Sequence, residues 1–138
     1  ESEGRDAELY AYHFLDAEDL IVQVWKVFDY IHDCELDIEA SFIENTLGVT
    51  DLNKDESPEI WIMYKKVCHG DVSPSEMKII MYENAKKYAM RGENKIQYGD
   101  DDAIGGEYIL DKSFEKGPSV FRAFAIELWN KNILQKWD

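Results

Sequence analysis

Carboxylates are the chemically active side chains that the sequence offers in greatest number. Ten of them fall between residues 27 and 64, where Lys54 is the only lysine or arginine. A helix surface that is merely solvated usually mixes both signs, because opposite charges one turn apart stabilise each other. We therefore expect these acids to form a binding surface for a basic protein: Asp29, Asp33, Glu35, Asp37, Glu39, Glu44, Asp51, Asp55, Glu56 and Glu59.

Part of this acidic stretch follows the start of a calcium-binding loop. Asp51, Asn53 and Asp55 alternate as the first three oxygen ligands of an EF-hand do. The later positions depart from that pattern, since Glu56 stands where glycine is required and Ile62 where the bidentate glutamate belongs. The sequence therefore predicts an acidic loop that caps a helix, and no metal ion.

Two further groups of potential metal ligands also fall short. The acidic loop at 100–107 lacks the ligand spacing of an EF-hand. The soft ligands form two pairs, His32 with Cys34 and Cys68 with His69, but adjacent residues of a helix point in different directions and do not converge on zinc. No cofactor is predicted. Two cysteines in a chain of this length favour free thiols over one disulfide.

Catalytic motifs are not recognisable in the sequence. The three histidines have no triad signature, and Ser113 and Ser119 lie in no nucleophile-elbow pattern. A phosphate-binding glycine loop and a dinucleotide fingerprint are both missing. A pairing of a cysteine with a histidine in space stays open, but the sequence favours a protein that is not an enzyme.

The overall charge narrows the class of partner. The 138-residue chain has a formal net charge of −14. On a folded surface of the expected size this is one uncompensated negative charge on roughly every 500 Å². Such a surface disfavours nucleic acid and anionic membranes and favours a basic protein. No run of 18 apolar residues is present, so no transmembrane helix is predicted. A cytoplasmic protein is expected, because two cysteines are ordinary for a cytosolic chain with free thiols.

The elements that would position these groups have the pattern of helices. In the segment 16–33 apolar residues recur at intervals of three and four, and the motifs Ser57-Pro58-Glu59 and Ser73-Pro74-Ser75-Glu76 are typical helix starts. We expect one mainly α domain over 1–138, a compact bundle of about six helices around a central helix at 16–33. Residues 1–6 should be frayed.

The other elements are assigned in the same way. Helices are expected at 7–15, 37–47, 58–69 and 73–90, and a last one from Pro118 through Leu134. Two short strands at 95–98 and 107–110 would form a small β-hairpin near 95–111.

Charge layout thus predicts a non-enzymatic inhibitor. An immunity protein for a nuclease-type toxin, or a nucleic-acid mimic, would place its carboxylates in the cleft where substrate phosphates sit. The protein itself would then bind neither nucleic acid nor a membrane. The alternative is a small secreted helical carrier with a Cys34–Cys68 disulfide and a cavity for an apolar ligand. A small metal-dependent enzyme is the third hypothesis.

Overall fold

The structure, a computed structural model, describes residues 3–137, with every side chain except that of Trp137. Eleven strands and two helices form within these residues. In chain order they are β1 (Arg5–Ala17), β2 (Leu20–Cys34), β3 (Asp37–Phe42), β4 (Gly48–Thr50), β5 (Glu59–His69), β6 (Glu76–Glu83), β7 (Lys86–Glu93), β8 (Lys95–Tyr98), β9 (Asp102–Gly105), β10 (Tyr108–Leu110), α1 (Lys112–Lys116), α2 (Ser119–Asn132) and β11 (Leu134–Trp137).

The strands form three sheets. The central sheet is antiparallel with the order β10-β7-β6-β5-β3, and β4 pairs with the first residues of β5. β1 and β2 form a separate, long hairpin, in which Ala17 pairs with Leu20 next to the turn. In the third sheet β8 lies between β9, its antiparallel neighbour, and β11, its parallel neighbour.

Both faces of the central sheet are covered, as alternate residues of β5 show. Trp61 and Met63 pack on one face in a core shared with side chains of α1 and α2, namely Phe114, Phe121, Ala125 and Trp129. Ile62 and Tyr64 pack on the opposite face in a core shared with the hairpin, through Leu9, Trp25 and Val27. Successive strand residues point to opposite faces, so the molecule has three layers: hairpin, central sheet and helices.

The prediction of a mainly α bundle is wrong, because the described chain is mostly β-strand and has only two helices. The central helix expected at 16–33 is replaced by the end of β1, a turn and β2. In β2 the buried residues Trp25 and Val27 alternate with the exposed Lys26 and Phe28. This period of two belongs to a strand, but apolar side chains on both faces imitate the girdle of a buried helix.

The remaining helix predictions fail in the same direction. The segment 7–15 lies within β1, the segments 37–47 and 58–69 contain β3 and β5, and 73–90 contains β6, a turn and most of β7. The last helix is confirmed as α2, although β11 begins where we expected it to continue. Strands occupy both short segments predicted as β, but β8 and β10 do not pair with each other.

The beginning of the chain and its cysteines bear on two further predictions. Residues 1 and 2 of the segment expected to fray lie outside the described residues, and β1 already begins at Arg5. The prediction of free thiols is wrong, because Cys34 and Cys68 form a disulfide. This bond joins the last residue of β2 to β5 and so fastens the base of the hairpin to the central sheet.

Candidate functional site

The hairpin carries a row of exposed aromatic side chains on the side that faces away from the sheet. We call the set formed by Tyr10, Tyr12, Phe14, Phe28 and Tyr30 the aromatic face. Each of these side chains is between 44% and 55% exposed. Adjacent rings are in contact, with centroids 5.0 Å apart between Tyr10 and Phe28 and 5.7 Å apart between Tyr12 and Phe14.

Strand register explains why these rings share one side. Tyr10 pairs with Phe28, and Tyr12 pairs with Lys26, so alternate residues of both strands point away from the sheet. The register shifts between His13 and Phe14, and every residue from Phe14 to Gln23 is exposed. The ammonium group of Lys26 lies 5.5 Å from the centre of the Tyr10 ring, and this cation–π contact orders the middle of the row.

Carboxylates lie toward both ends of this aromatic row. The hairpin strands and their turn hold six exposed acids against two bases, Arg5 and Lys26. The acids are Asp6, Glu8, Asp16, Glu18, Asp19 and Asp33. An aromatic centre with a charged rim is the usual anatomy of a protein interface.

Asp29 differs from the six exposed acids of the hairpin, because its side chain is largely buried. Its carboxylate accepts hydrogen bonds from Lys66 Nζ at 2.8 Å, Lys78 Nζ at 2.6 Å and the Tyr64 hydroxyl at 2.7 Å. Burial opposes its ionisation, but these donors outweigh burial and hold the pKa of Asp29 well below its usual range. The network attaches the hairpin to β5 and β6, so this carboxylate is already paired within the protein.

The structure divides the other acids of the sequence-predicted surface into two groups. Asp33, Glu35, Asp37 and Glu39 lie at or near the disulfide, where Asp37 of β3 pairs with His69 at the end of β5. The second group, Asp51, Asp55, Glu56 and Glu59, lies at the other end of β5, about 33 Å away for a strand of this length. Glu44 lies in the loop after β3.

Individual acids of these groups also differ in exposure. Glu39 forms an ion pair with Lys65 at 3.2 Å, whereas Asp33, Glu35, Asp37, Glu44, Asp51, Asp55 and Glu56 are exposed without a salt bridge among the described residues. Glu59 is fully buried. The acids available to a partner at the hairpin base are therefore Asp33, Glu35 and Asp37.

An apolar cleft lies beside the hairpin, between β1 and the segment that follows β3. Its volume is about 420 Å³, and residues along it include Ala11, Trp25, Phe42, Leu47 and Ile62. Two buried ring nitrogens of residues along it, Trp25 Nε1 and His13 Nδ1, have no hydrogen-bond partner among the residues that the structure describes. The cleft thus offers mainly apolar surface to a bound molecule.

Sequence reasoning missed the aromatic face, although a signal for it was present. Tyr10, Tyr12 and Phe14 alternate with Leu9, Ala11 and His13, as the two faces of a strand require.

No helix in the part of the chain that the structure describes is long and apolar enough to cross a membrane. Comparison of the chain with protein-family models, curated proteins and solved structures finds no significant match.

Proposed function

We propose that this protein is a non-enzymatic binding protein that occludes a basic protein partner with the aromatic face of its hairpin. The observation that carries the proposal is the exposed row of five aromatic rings within an acidic rim. Aromatic side chains are over-represented among the residues that dominate binding energy at interfaces. Folding alone does not account for a row of half-exposed rings, because their burial contributes little to the core.

Charge supports a basic partner over other classes. The net charge of −14 and the exposed acids around the aromatic face attract a positively charged surface and repel nucleic acid. Such complementarity raises association rates and rejects partners of the wrong sign. An inhibitor of a nucleic-acid-binding protein, such as an immunity protein against a nuclease-type toxin, uses the same combination of anchors and carboxylates.

Affinity capture with the tagged full chain tests this function. We expect one basic protein to be retained at low salt. Its binding should weaken at about 0.5 M salt, where the screening length falls to about 4–5 Å. The double variant Tyr12→Ser/Phe28→Ser should bind the purified partner at least 30-fold more weakly, the effect of losing one interface hot spot.

Two controls make the capture decisive. Ile109→Ser replaces another exposed apolar strand residue, 76% exposed on β10, and should bind like wild type. The triple variant Asp33→Lys/Glu35→Lys/Asp37→Lys should lose salt-sensitive affinity while its circular dichroism spectrum is unchanged. The proposal is wrong if no basic protein is captured, or if Ile109→Ser weakens binding as much as the double variant.

A second candidate function, transport or sensing of a small apolar ligand, is favoured by the cleft beside β1. Its volume lies within the usual range of small-molecule pockets, and the disulfide that a carrier would contain is present. Ala11→Leu should fill the cleft and reduce binding of the fluorescent probe anilinonaphthalene sulfonate, whereas Ala17→Leu at the hairpin end should not. Equal probe binding by wild type and Ala11→Leu would exclude the cleft as the site.

A further inference from the structure

We infer that the loop between β4 and β5 is a binding site for Ca²⁺, with Asp51, Asp55 and Glu59 as its carboxylate ligands. One carboxylate oxygen from each of these residues lies within 4.8 Å of the others. Oxygens that share a Ca²⁺ ion at 2.3–2.6 Å are separated by at most about 5 Å. The three groups therefore already stand at distances that a single ion can bridge. This inference is independent of the proposed function, since the loop lies at the far end of β5 from the acids at the hairpin base.

Glu59 gives the strongest reason to expect an ion. Its side chain is fully buried, and its Oε1 accepts hydrogen bonds from Thr50 Oγ1 and the Leu52 backbone N–H, both at 2.7 Å. Its other oxygen, Oε2, is buried and has no hydrogen-bond partner in the described part of the chain. A buried carboxylate oxygen without a partner is costly, because it has lost its water and gained no donor. A cation supplies the missing partner.

A second acceptor in the same loop is also without a partner. The amide nitrogen of Asn53 donates to Asp55 at 3.0 Å and to Glu83 at 3.1 Å, whereas the buried Asn53 Oδ1 has no donor within residues 3–137. The unsatisfied atoms in the loop are thus both acceptors. No lysine or arginine forms a salt bridge with Asp51, Asp55, Glu59 or Glu83 within residues 3–137. A negative cluster of this kind attracts a cation rather than an anion.

The backbone holds the loop in the form that a ligand cage needs. Both carboxylate oxygens of Asp51 accept backbone hydrogen bonds, one from Asp55 at 3.2 Å and one from Glu56 at 3.1 Å. Glu56 has a φ of 69°, the left-handed conformation for which calcium loops use glycine at this position. The glutamate at position six of the loop therefore does not prevent the turn.

The donor set selects among metal ions. Carboxylate and amide oxygens suit hard cations, whereas zinc sites in proteins usually include histidine or cysteine ligands. Mg²⁺ usually keeps several of its waters and is held by one or two carboxylates. Three carboxylates and an orphaned amide oxygen, drawn from nine consecutive residues, correspond better to the larger and more flexible coordination of Ca²⁺.

Calorimetric titration of the chelator-treated full chain with CaCl₂ tests the site. We expect one saturable site per chain and a rise in melting temperature on adding Ca²⁺. Trp61 offers a spectroscopic signal, because its Nε1 donates to Thr50 Oγ1, which in turn donates to Glu59. Asp55→Asn should weaken Ca²⁺ binding at least tenfold and abolish the rise in melting temperature.

The matched control is Asp101→Asn, which removes an exposed acid from a different acidic loop and should bind Ca²⁺ like wild type. Asp51 and Asp55 are exposed, so their asparagine variants should fold even if Glu59→Gln does not, and circular dichroism checks this. The absence of saturable Ca²⁺ binding by wild type would overturn the inference, as would equal loss in Asp55→Asn and Asp101→Asn. Equal affinity for MgCl₂ and CaCl₂ would overturn the assignment of calcium.

Discussion

Asp29 of the hairpin and Lys78 of the central sheet form an ion pair of 2.6 Å across two layers of the molecule. The Asp29 side chain is only 12% exposed and also binds Lys66. Loss of one partner from such a buried pair leaves an uncompensated charge. The pair therefore determines how firmly the hairpin is held against β5 and β6.

Replacement of Asp29 by asparagine should lower the free energy of unfolding by about 3 kcal/mol, the lower end of the range for broken buried pairs, because Glu76 still lies near both lysines. Urea denaturation at pH 7 measures the change. Asp33→Asn is the control, since this exposed acid forms no salt bridge among the described residues, and its effect should stay below about 0.5 kcal/mol. Equal stability of Asp29→Asn and wild type would show that the pair contributes nothing.

Lowering the pH should remove the stabilisation that the Asp29 ion pair provides. The folded-state pKa of Asp29 lies below its unfolded value near 3.8, so its stabilisation is fully present above that value and is lost as the pH falls through the folded-state pKa. The difference in unfolding free energy between wild type and Asp29→Asn should therefore be constant from pH 7 to about pH 5 and decrease below about pH 4. Urea denaturation at several pH values tests this, and a difference that grows on acidification would contradict it.

The disulfide should contribute substantially to stability. It closes a loop between residues 34 positions apart, for which chain entropy predicts about 4 kcal/mol. Cys34→Ala/Cys68→Ala should lower the free energy of unfolding by up to that amount in urea denaturation. Wild type in excess reductant should approach the value of the variant, and an unchanged stability in both experiments would show that the crosslink is energetically neutral.

Glycine should stabilise the protein at position 56. Glu56 has a positive φ, which costs a residue with a side chain about 1 kcal/mol that glycine avoids. Part of this gain is offset by the greater freedom of glycine in the unfolded chain, so Glu56→Gly should raise the free energy of unfolding by about 0.5 kcal/mol. Asp101→Gly, in a turn without a positive φ, should instead lower it. Thermal unfolding compares the two variants, and a loss at both positions would contradict the argument.

Thr50 connects two fully buried side chains, and its hydroxyl should be needed for stability. It accepts from Trp61 Nε1 at 2.9 Å and donates to Glu59 Oε1 at 2.7 Å. Thr50→Val should cost about 2 kcal/mol and change the tryptophan emission, because the buried Trp61 Nε1 loses the acceptor to which it donates and the buried Glu59 Oε1 keeps only the Leu52 N–H. Thr50→Ser should retain most of the stability, whereas equal loss in both variants would assign the effect to packing.

The fold class could not be read from the sequence because the two best-defined strands hide their period. β2 has apolar residues on its outer side, where Phe28 and Tyr30 belong to the aromatic face, and these fill the gaps in its alternation. β5 is covered on both faces, so Trp61, Ile62 and Met63 form a continuous apolar run that suits a buried helix as well as a buried strand. The strands that resemble helices in sequence are thus those with apolar side chains on both faces.

The candidate sites were only partly predictable for a related reason. Acids recognised from composition include Asp33, Glu35 and Asp37, which the structure leaves exposed together at the hairpin base. Asp29 and Glu59 have the same chemistry, but tertiary contacts that the sequence does not reveal remove both from the surface. The sequence predicts no metal ion at 51–59 because the loop departs from EF-hand spacing, and the calcium site that we infer there would take its glutamate from the ninth position, where β5 begins, instead of the twelfth.

The hairpin is fixed at its base by the disulfide and along its middle by Asp29, while Leu15, Leu20, Ile21 and Val22 at its end are 48–75% exposed. The hairpin is therefore anchored at one end and free at the other. Amide hydrogen exchange should then accelerate from Val27 toward Ile21, since fewer contacts must break to open the free end. A partner that binds this end would slow amide exchange there most. The change in protection along β2 would therefore report how many residues of the hairpin the partner covers.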